Sequence, residues 1–356
     1  MTYERQKGTS MKIFPRSVIA VTAAATLMVA AACSSNETMA TPASGSWDDV
    51  VAAANAEGSV RLYSTQHPAN LEALRIAFTA QYPQITLEVT RGTDVEMNPR
   101  IETENRTGKG VGDVHMSSDP SWIKNAAASG AFSTPIVGPA FDDPAYESDR
   151  SVIDDRFFLT SAAIFALGWN TDAVPQGLRS PDDLLDPALK GKIGVVNPGG
   201  FAAVVDEYQF FEKNWGNGDF NERLAALNPR IYPSSLGIAQ ALSSGEIAAT
   251  PMVQPLVREM ATGAPVDWVL PEPAWGTPWY SLVLASARHP NAAQVLANFM
   301  VTETGQKALS YGYGSALPDI SGSVGHAQDI PLPDTAALTP ELTGKFQENW
   351  ERSFQR

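Results

Sequence analysis

After Trp47, short stretches in which apolar and polar residues alternate are separated by stretches with apolar residues every three or four positions. Alternation is typical of a strand with one buried face, and the wider spacing is typical of an amphipathic helix. This pattern predicts strands at 59–63, 85–90 and 113–116. It predicts helices at 47–56, 70–82 and 96–106, and a further helix from Trp122. Strands that alternate with helices favour a layered α/β architecture with parallel sheets.

The central part of the chain has longer apolar runs. Residues 157–169 are rich in apolar and strand-forming residues, and we expect them to cross between two lobes. Glycine and proline punctuate the rest into shorter elements. Further strands are predicted at 193–196, 247–253, 265–270 and 278–285. Further helices are predicted at 203–214, 221–227, 237–245, 291–302 and 305–311, and a proline-rich tail at 319–340.

One apolar stretch near the start of the chain follows neither pattern. It reads SVIAVTAAATLMVAAAC over 17–33, follows two basic residues and ends in Cys33. A basic head, about 15 apolar residues and small residues before a break are typical of a secretory signal. A cysteine directly after three alanines favours a lipoprotein signal over 1–32, with Cys33 lipidated and 33–46 a flexible tether. An uncleaved membrane helix is the alternative, although a span needs about 20 apolar residues.

The chain is acidic, with a formal net charge of −14. Residues 1–32 hold four basic residues and one acidic residue, which leaves 21 basic and 38 acidic residues and a net charge of −17 for the rest. Such a charge argues against nucleic acid and against an anionic membrane surface as partners. Cys33 is the single cysteine. With Cys33 lipidated, no thiol remains for a disulfide, a zinc site or a nucleophile.

Several short segments occur in the order and spacing of one protein family. They are VRLYSTQH at 60–67, DV at 113–114, GWNT at 168–171, PDDLLD at 181–186, LKGKI at 189–193, GEIA at 245–248, HPNAA at 289–293 and GQ at 305–306. Through these segments the chain resembles the extracellular solute-binding proteins of ABC importers, most of all the branch that holds ferric-iron, polyamine and phosphonate binders.

The resemblance implies an α/β, two-lobe periplasmic-binding-protein type II fold. Each lobe would be a mixed, mostly parallel sheet flanked by helices, with the ligand cleft between the lobes. Residues 47–160 and 271–356 would form lobe 1, and residues 161–270 would form lobe 2. The resemblance also implies a monomer, held outside the cell membrane by its lipid, that passes a small solute to the permease and ATPase subunits of an ABC importer.

We expect the solute to contact loops at the carboxyl ends of strands, where helix N-termini present free amides. The candidate contacts are Ser64, Thr65, Gln66, His67, Ser117, Ser118, Asp119, Asn197, Gly199, Gly200, Gln254, Trp279 and Tyr280. Simpler interpretations exist for some of them: Ser117 and Asp119 suit helix caps, the glycine pair suits a turn, and Trp279 suits a core position.

His67 raises the question of a metal, because the resemblance places a histidine ligand of the ferric-iron binders in this loop. Glu96, or Asp94, would be its acidic partner. The adjacent tyrosines of those iron sites are absent here, since residues 250–255 read TPMVQP. Ferric-iron binding therefore stays an alternative, and we expect no metal and no cofactor.

A small polar organic solute is the favoured expectation. Helix N-termini and hydroxyl groups suit a phosphonate, a phosphate ester or a carboxylate. A polyamine is the other possibility. It would need several carboxylates in the cleft that face aromatic walls. The carboxylates available for that role are Asp119, Glu96, Asp206 and Glu207.

A lipid-anchored extracellular enzyme is a second alternative. The sequence contains no Gly-x-Ser-x-Gly elbow and no His-Glu-x-x-His motif. Its four histidines, at 67, 115, 289 and 326, lack metal-ligand spacing. We therefore expect a binding protein and not an enzyme.

Overall fold

The computed structural model describes residues 45–199 and 201–355. The lipoprotein signal, Cys33, most of the tether and Gly200 lie outside the described residues. Across the part of the chain that is described, no helix has the length and apolar character needed to cross a bilayer.

Helices and strands alternate as the sequence pattern predicts. The helices are α1 Trp47–Glu57, α2 Pro68–Gln81, α3 Asp94–Thr107, α4 Pro120–Ser129, α5 Ser148–Ser151, α6 Ala202–Asn214, α7 Phe220–Ala226, α8 Ser235–Ser243, α9 Val257–Ala261, α10 Pro290–Met300, α11 Glu303–Leu309 and α12 Pro340–Phe354. The strands are β1 Ser59–Ser64, β2 Thr86–Arg91, β3 Val114–Ser117, β4 Val152–Ile153, β5 Phe157–Ile164, β6 Ala166–Asn170, β7 Gly194–Val196, β8 Arg230–Tyr232, β9 Ala249–Val253, β10 Val266–Val269, β11 Gly276–Val283, β12 Gly314–Ser315 and β13 Gly325–His326.

The first sheet defines lobe 1. Its strand order is β13-β12-β5-β11-β3-β1-β2, and β4 also pairs with β5. Strand β1 runs parallel to β2 and β3, whereas β11 is antiparallel to both β3 and β5. The prediction of a mixed sheet is thus confirmed, but the centre of the sheet is antiparallel and parallel pairs do not predominate. The reason is that β5 leads out of lobe 1 and β11 leads back into it, so the two strands run in opposite directions.

Lobe 2 is built on two smaller sheets. Strands β10, β6 and β9 form an antiparallel sheet, and β7 and β8 form a parallel pair. A parallel bridge between Ile193 and Ala249 connects the two. This lobe also departs from the mostly parallel expectation.

Each lobe has its own aromatic and aliphatic core. In lobe 1, the rings of Phe78 and Phe299 meet edge to face with centroids 5.4 Å apart, and every residue of α10 is buried. In lobe 2, Phe211 stacks on Trp215 at 4.2 Å. Burial of such large side chains is the main stabilising contribution to each lobe.

The C-terminal helix belongs with lobe 2. Phe346, Trp350 and Phe354 lie four residues apart on one face of α12, and their ring centroids lie 5.7–6.0 Å from that of Tyr208 in α6. Side chains at this spacing share one face of a helix. The prediction placed all of 271–356 in lobe 1, whereas α12 packs against the core of lobe 2.

The chain crosses between the lobes from β5 to β6 and returns from β10 to β11. At the crossing, the amide of Phe165 donates to the carbonyl of Trp275 at 2.9 Å, and the two rings lie 4.9 Å apart. A Cβ at Gly276 would lie 2.7 Å from the Ala163 carbonyl oxygen. Glycine therefore permits the close approach of the two crossing segments.

Gly305 offers a test of packing in lobe 1. A Cβ there would lie 2.0 Å from the carbonyl oxygen of Phe299. We expect Gly305→Ala to lower the free energy of unfolding by about 1–3 kcal/mol, because the core must shift to accept the methyl group. Gly344→Ala is the control: no atom lies within 4 Å of its Cβ position inside α12, and it should stabilise by about 0.5–1 kcal/mol. Equal effects in urea unfolding would contradict this packing.

Candidate functional site

A cavity of about 200 Å³ lies between the lobes. The lobe 1 side is formed by the loops after β1, β2 and β3, with Thr65, His67, Arg91, Gly92, Thr93, Asp94, Val95, Ser118 and Asp119. The lobe 2 side is formed largely by the N-terminal ends of α6 and α8, with Phe201, Ala202, Ala203, Val204, Glu207, Pro233, Ser234, Ser235 and Leu236. The crossing segments complete the wall with Ala163, Phe165, Trp275, Thr277 and Trp279, beside Val196, Gln254 and Tyr313.

His67 is a neutral hydrogen-bond donor at this wall. Its Nδ1 accepts a hydrogen bond from the amide of Ala69 at 3.1 Å and so caps α2. An acceptor Nδ1 leaves the proton on Nε2. Burial, together with the charges of Arg258 and Arg91, lowers the pKa of His67 to about 4. The ring is therefore uncharged at neutral pH.

Asp94 is the more deeply buried of the two carboxylates on the lobe 1 side of the cavity. It accepts hydrogen bonds from the hydroxyl groups of Ser117 at 2.6 Å and Ser118 at 2.7 Å, and from the Ser118 amide at 3.3 Å. Burial raises the pKa of Asp94 to about 6 although these donors oppose the rise. Asp94 thereby ties the start of α3 to the end of β3.

Asp119 caps the next helix. Its Oδ1 accepts from the amides of Ser121 and Trp122, both at 3.0 Å, at the start of α4. Nearby, the indole nitrogen of Trp279 donates to the Thr65 hydroxyl at 2.9 Å. These hydrogen bonds fix the lobe 1 wall before any solute enters.

Arg91 is the cationic side chain on the cavity wall. It lies at the end of β2, and its Nε donates to the carbonyl of Gln66 at 2.8 Å. This bond holds the guanidinium stem against the loop after β1. Within the described residues the wall carries no second lysine or arginine.

The lobe 2 side presents backbone amides. Phe201 occupies the N-cap position of α6 and has no polar side chain to cap it. The first amides of a helix have no partner within the helix, and those of Ala202 and Ala203 find no acceptor in the described part of the chain. The helix dipole adds partial positive charge at this end. The α8 end is different, because Ser234 caps it at Gly237.

The sequence matches the family model described as bacterial extracellular solute-binding protein over residues 60–314. The chain belongs to this family. Family membership makes it a binding protein that acts outside the cytoplasm. No curated protein matches its sequence.

The solute-binding protein also has the fold of several solved structures. It is similar to iron-bound HitA from Pseudomonas aeruginosa (20% identity, 84% of this chain and 99% of that chain, TM-score 0.64). It is similar to the substrate binding protein of an ABC transporter from Agrobacterium tumefaciens (14%, 85% and 97%, TM-score 0.71). It is similar to AfuA from Actinobacillus pleuropneumoniae, solved with exogenous fructose-6-phosphate (18%, 84% and 99%, TM-score 0.65). Identities this low show a common fold, and these folds agree with the two-lobe prediction.

The structure places the predicted contact residues of the solute-binding protein in two groups. Thr65, His67, Ser118, Asp119, Gln254 and Trp279 line the cavity. Ser64, Gln66 and Ser117 are fully buried beneath it. Their side-chain donors bind protein: Ser64 donates to the Met116 sulfur, Gln66 to Ser161 and Leu309, and Ser117 to Asp94. The two groups arise because successive side chains at the end of a strand point to opposite sides of the sheet.

The remaining candidates lie elsewhere. Asn197 accepts from the amide of Gly199 at 2.8 Å in a turn away from the cavity wall, and Tyr280 borders a separate hollow beside Pro120 and Leu332. Glu96 accepts from the Thr93 amide and hydroxyl as a helix cap and also lies off the wall. Within residues 45–199 and 201–355, no three histidine, cysteine or acidic side chains are grouped as a metal would require.

One arrangement has the order of a hydrolase triad. The Ser59 hydroxyl lies 3.2 Å from His289 Nε2, and His289 Nδ1 lies 3.0 Å from Asp113 Oδ2. Asp113 is completely buried and also accepts from the amides of Arg61, Arg288 and His289. These groups do not line the interlobe cavity. They connect the starts of β1, β3 and α10, which is a structural role.

The sequence did not predict Arg91 as a cavity residue. It also did not predict the burial of Asp94 in the cavity wall, or nearly all of the lobe 2 side. A lone arginine at the end of a strand carries no motif. The α6 end offers backbone amides, and Phe201 at its N-cap lacks the serine, threonine or aspartate by which such an end is recognised.

Proposed function

We propose that this protein is the solute-binding component of an ABC importer and captures a small anionic solute in the interlobe cavity. The solute carries a phosphate, phosphonate or carboxylate group. The protein delivers it to a membrane permease, and a lipid on Cys33 keeps the protein at the membrane. The family and the fold support the binding role.

The observation that carries the choice of an anion is the convergence of free donors on one cavity. The α6 amides of Ala202 and Ala203, the guanidinium of Arg91 and the Nε2 of His67 belong to residues of the same wall. Helix N-termini and arginine are the groups that bind oxyanions most readily. Donors from both lobes would meet on one ligand and hold the lobes together.

The two carboxylates on the lobe 1 side of the wall do not oppose this assignment. Asp94 accepts from three donors at the end of β3, and Asp119 accepts from two helix amides on one oxygen and from Asn98 on the other. A carboxylate engaged in this way has little capacity left for a cationic solute. On the lobe 1 side, the free hydrogen-bonding capacity of the wall is therefore mainly donor capacity.

Closure of the lobes follows from the connections. The crossing segments meet at Phe165 and Trp275, so rotation about this pair would bring the α6 end toward Arg91. A solute that binds both lobes stabilises the closed state in proportion to its extra contacts there. The permease would recognise that closed state.

Native mass spectrometry tests the proposal. The protein lacking residues 1–33 is purified without added ligand and sprayed under native and denaturing conditions. We expect an added mass that matches a small phosphate, phosphonate or carboxylate and is lost on denaturation. An added mass of one iron atom, or of an amine, would contradict the anionic assignment. If the protein emerges empty, a thermal-shift screen replaces the measurement, because a ligand that binds the native state raises the Tm. A screen in which oxyanions have no effect would also contradict it.

A further inference from the structure

Glu207 lines the cavity but has no role in the proposed binding of the anionic group. It lies in α6, five residues after Ala202, and is only 1% exposed. It forms part of the cavity wall, yet its Oε1 is buried without a hydrogen-bond partner among the described residues. A buried polar atom without a partner costs about 1–3 kcal/mol, so such an atom beside a cavity points to a partner that arrives with the solute.

The charges around Glu207 favour its protonated form. Its neighbour Asp206 is acidic and accepts a hydrogen bond from the Trp275 indole at 2.7 Å. No lysine or arginine forms an ion pair with Glu207 within the described residues. Burial, reinforced by Asp206, raises the pKa of Glu207 well above its ordinary value. A neutral carboxylic acid is a hydrogen-bond donor as well as an acceptor.

The distance from Glu207 to the anion site fits one small molecule. Five residues along a helix correspond to a rise of about 7.5 Å, and helical side chains lean toward the N-terminus, which shortens the gap. The wall here also includes the rings of Phe165, Phe201 and Trp275, which suit the carbon skeleton of a ligand.

We propose that Glu207 is a specificity-determining residue that donates a hydrogen bond from its neutral carboxyl group to a hydroxyl or carbonyl oxygen of the solute. The solute would then carry an anionic group on the α6 amides and a second oxygen farther along the helix. Its class is a hydroxylated phosphate, phosphonate or carboxylate. This inference rests on the proposed function.

An amine is the competing partner for Glu207. An ammonium group would bind the ionised carboxylate, whereas an oxygen acceptor binds the protonated acid. Glu207→Gln separates the two, because glutamine keeps a neutral donor of the same shape and cannot provide a negative charge. Glu207→Ala removes the donor in both cases.

Stability measurements first establish the protonation state without any solute. For a carboxyl group whose folded pKa is raised, the stability is present below the unfolded pKa near 4.5 and is lost as the pH rises toward the folded pKa. We therefore expect the Tm of Glu207→Gln to match that of the wild type near pH 4 and to exceed it at pH 7. A lower Tm than the wild type at pH 7 would show an ionised, paired Glu207 and would overturn the proposal.

Calorimetric titration then tests recognition with three probes: fructose 6-phosphate, methylphosphonate and putrescine. We expect fructose 6-phosphate to bind the wild type and Glu207→Gln within about threefold of each other, and Glu207→Ala at least tenfold more weakly. Methylphosphonate carries no alcohol or carbonyl oxygen, so its affinity should be the same for the wild type, Glu207→Gln and Glu207→Ala. Equal loss in Glu207→Gln and Glu207→Ala, or binding of putrescine that Glu207→Gln abolishes, would overturn the proposal. If neither phosphorus compound binds the wild type, a phosphate or phosphonate solute is excluded, and the same three variants are titrated with gluconate, a hydroxylated carboxylate. If gluconate does not bind either, the anionic solute class fails, and the inference fails with it.

Discussion

Replacement of Asp113 by alanine should lower the free energy of unfolding by about 3–5 kcal/mol. The Asp113 carboxylate is completely buried and accepts from three backbone amides and from the His289 ring. Alanine would leave these donors buried without an acceptor and would disconnect the starts of β1 and α10. Chemical denaturation monitored by circular dichroism gives the value directly.

Asp172→Ala is the matched control for this measurement. Asp172 is exposed, and its side chain forms no hydrogen bond within the described residues. Its change in stability should stay within about 0.5 kcal/mol of zero. If Asp113→Ala were equally mild, the Ser59–His289–Asp113 group would lack the structural role assigned to it, and hydrolytic activity would become the question to test.

Arg91→Gln should weaken binding of the captured oxyanion roughly 10- to 100-fold. A hydrogen bond to a charged group contributes about 1.5–3 kcal/mol, and Arg91 is the cationic side chain on the described cavity wall. Arg91→Lys should recover part of the affinity, because lysine keeps the charge and loses the forked geometry. Titration followed by tryptophan fluorescence suits the measurement, since Trp275 and Trp279 line the cavity.

Arg223→Gln provides the comparison for Arg91. Arg223 lies on α7, 3.8 Å from Asp219, and does not line the cavity. Its loss changes the net charge by the same amount and should leave the affinity unchanged. An equal decrease in both variants would show that overall charge, rather than contact with Arg91, governs binding.

The regular elements could be predicted because their patterns are local. The strand predicted at 59–63 is β1, Ser59–Ser64, and the helix predicted at 70–82 is α2, Pro68–Gln81. The relative directions of the strands in each sheet could not be predicted in the same way. The direction of β11 between β3 and β5 depends on where the chain re-enters lobe 1, and no local pattern records it.

The candidate site was predictable mainly on the side of lobe 1, with Gln254 as the predicted cavity residue from lobe 2. Thr65, His67, Ser118 and Asp119 follow strands directly, so a rule about strand ends finds them. The rule is wrong for Ser64 and Ser117, the last residues of β1 and β3. Side chains alternate along a strand, and these two point into the core. The α6 amides carry no side-chain signature, and Glu207 resembles any acidic helix residue until its burial is known.

The placement of α12 affects the order in which the lobes can be completed during synthesis. The centre of the first sheet requires β11, and the core of lobe 2 requires Trp350 and Phe354, which lie at the end of the chain. A growing polypeptide therefore cannot complete lobe 1 before β11 has emerged, or lobe 2 before α12 has emerged. Contacts so distant in sequence also slow folding. We therefore expect neither lobe to fold independently of segments that follow much later in the sequence.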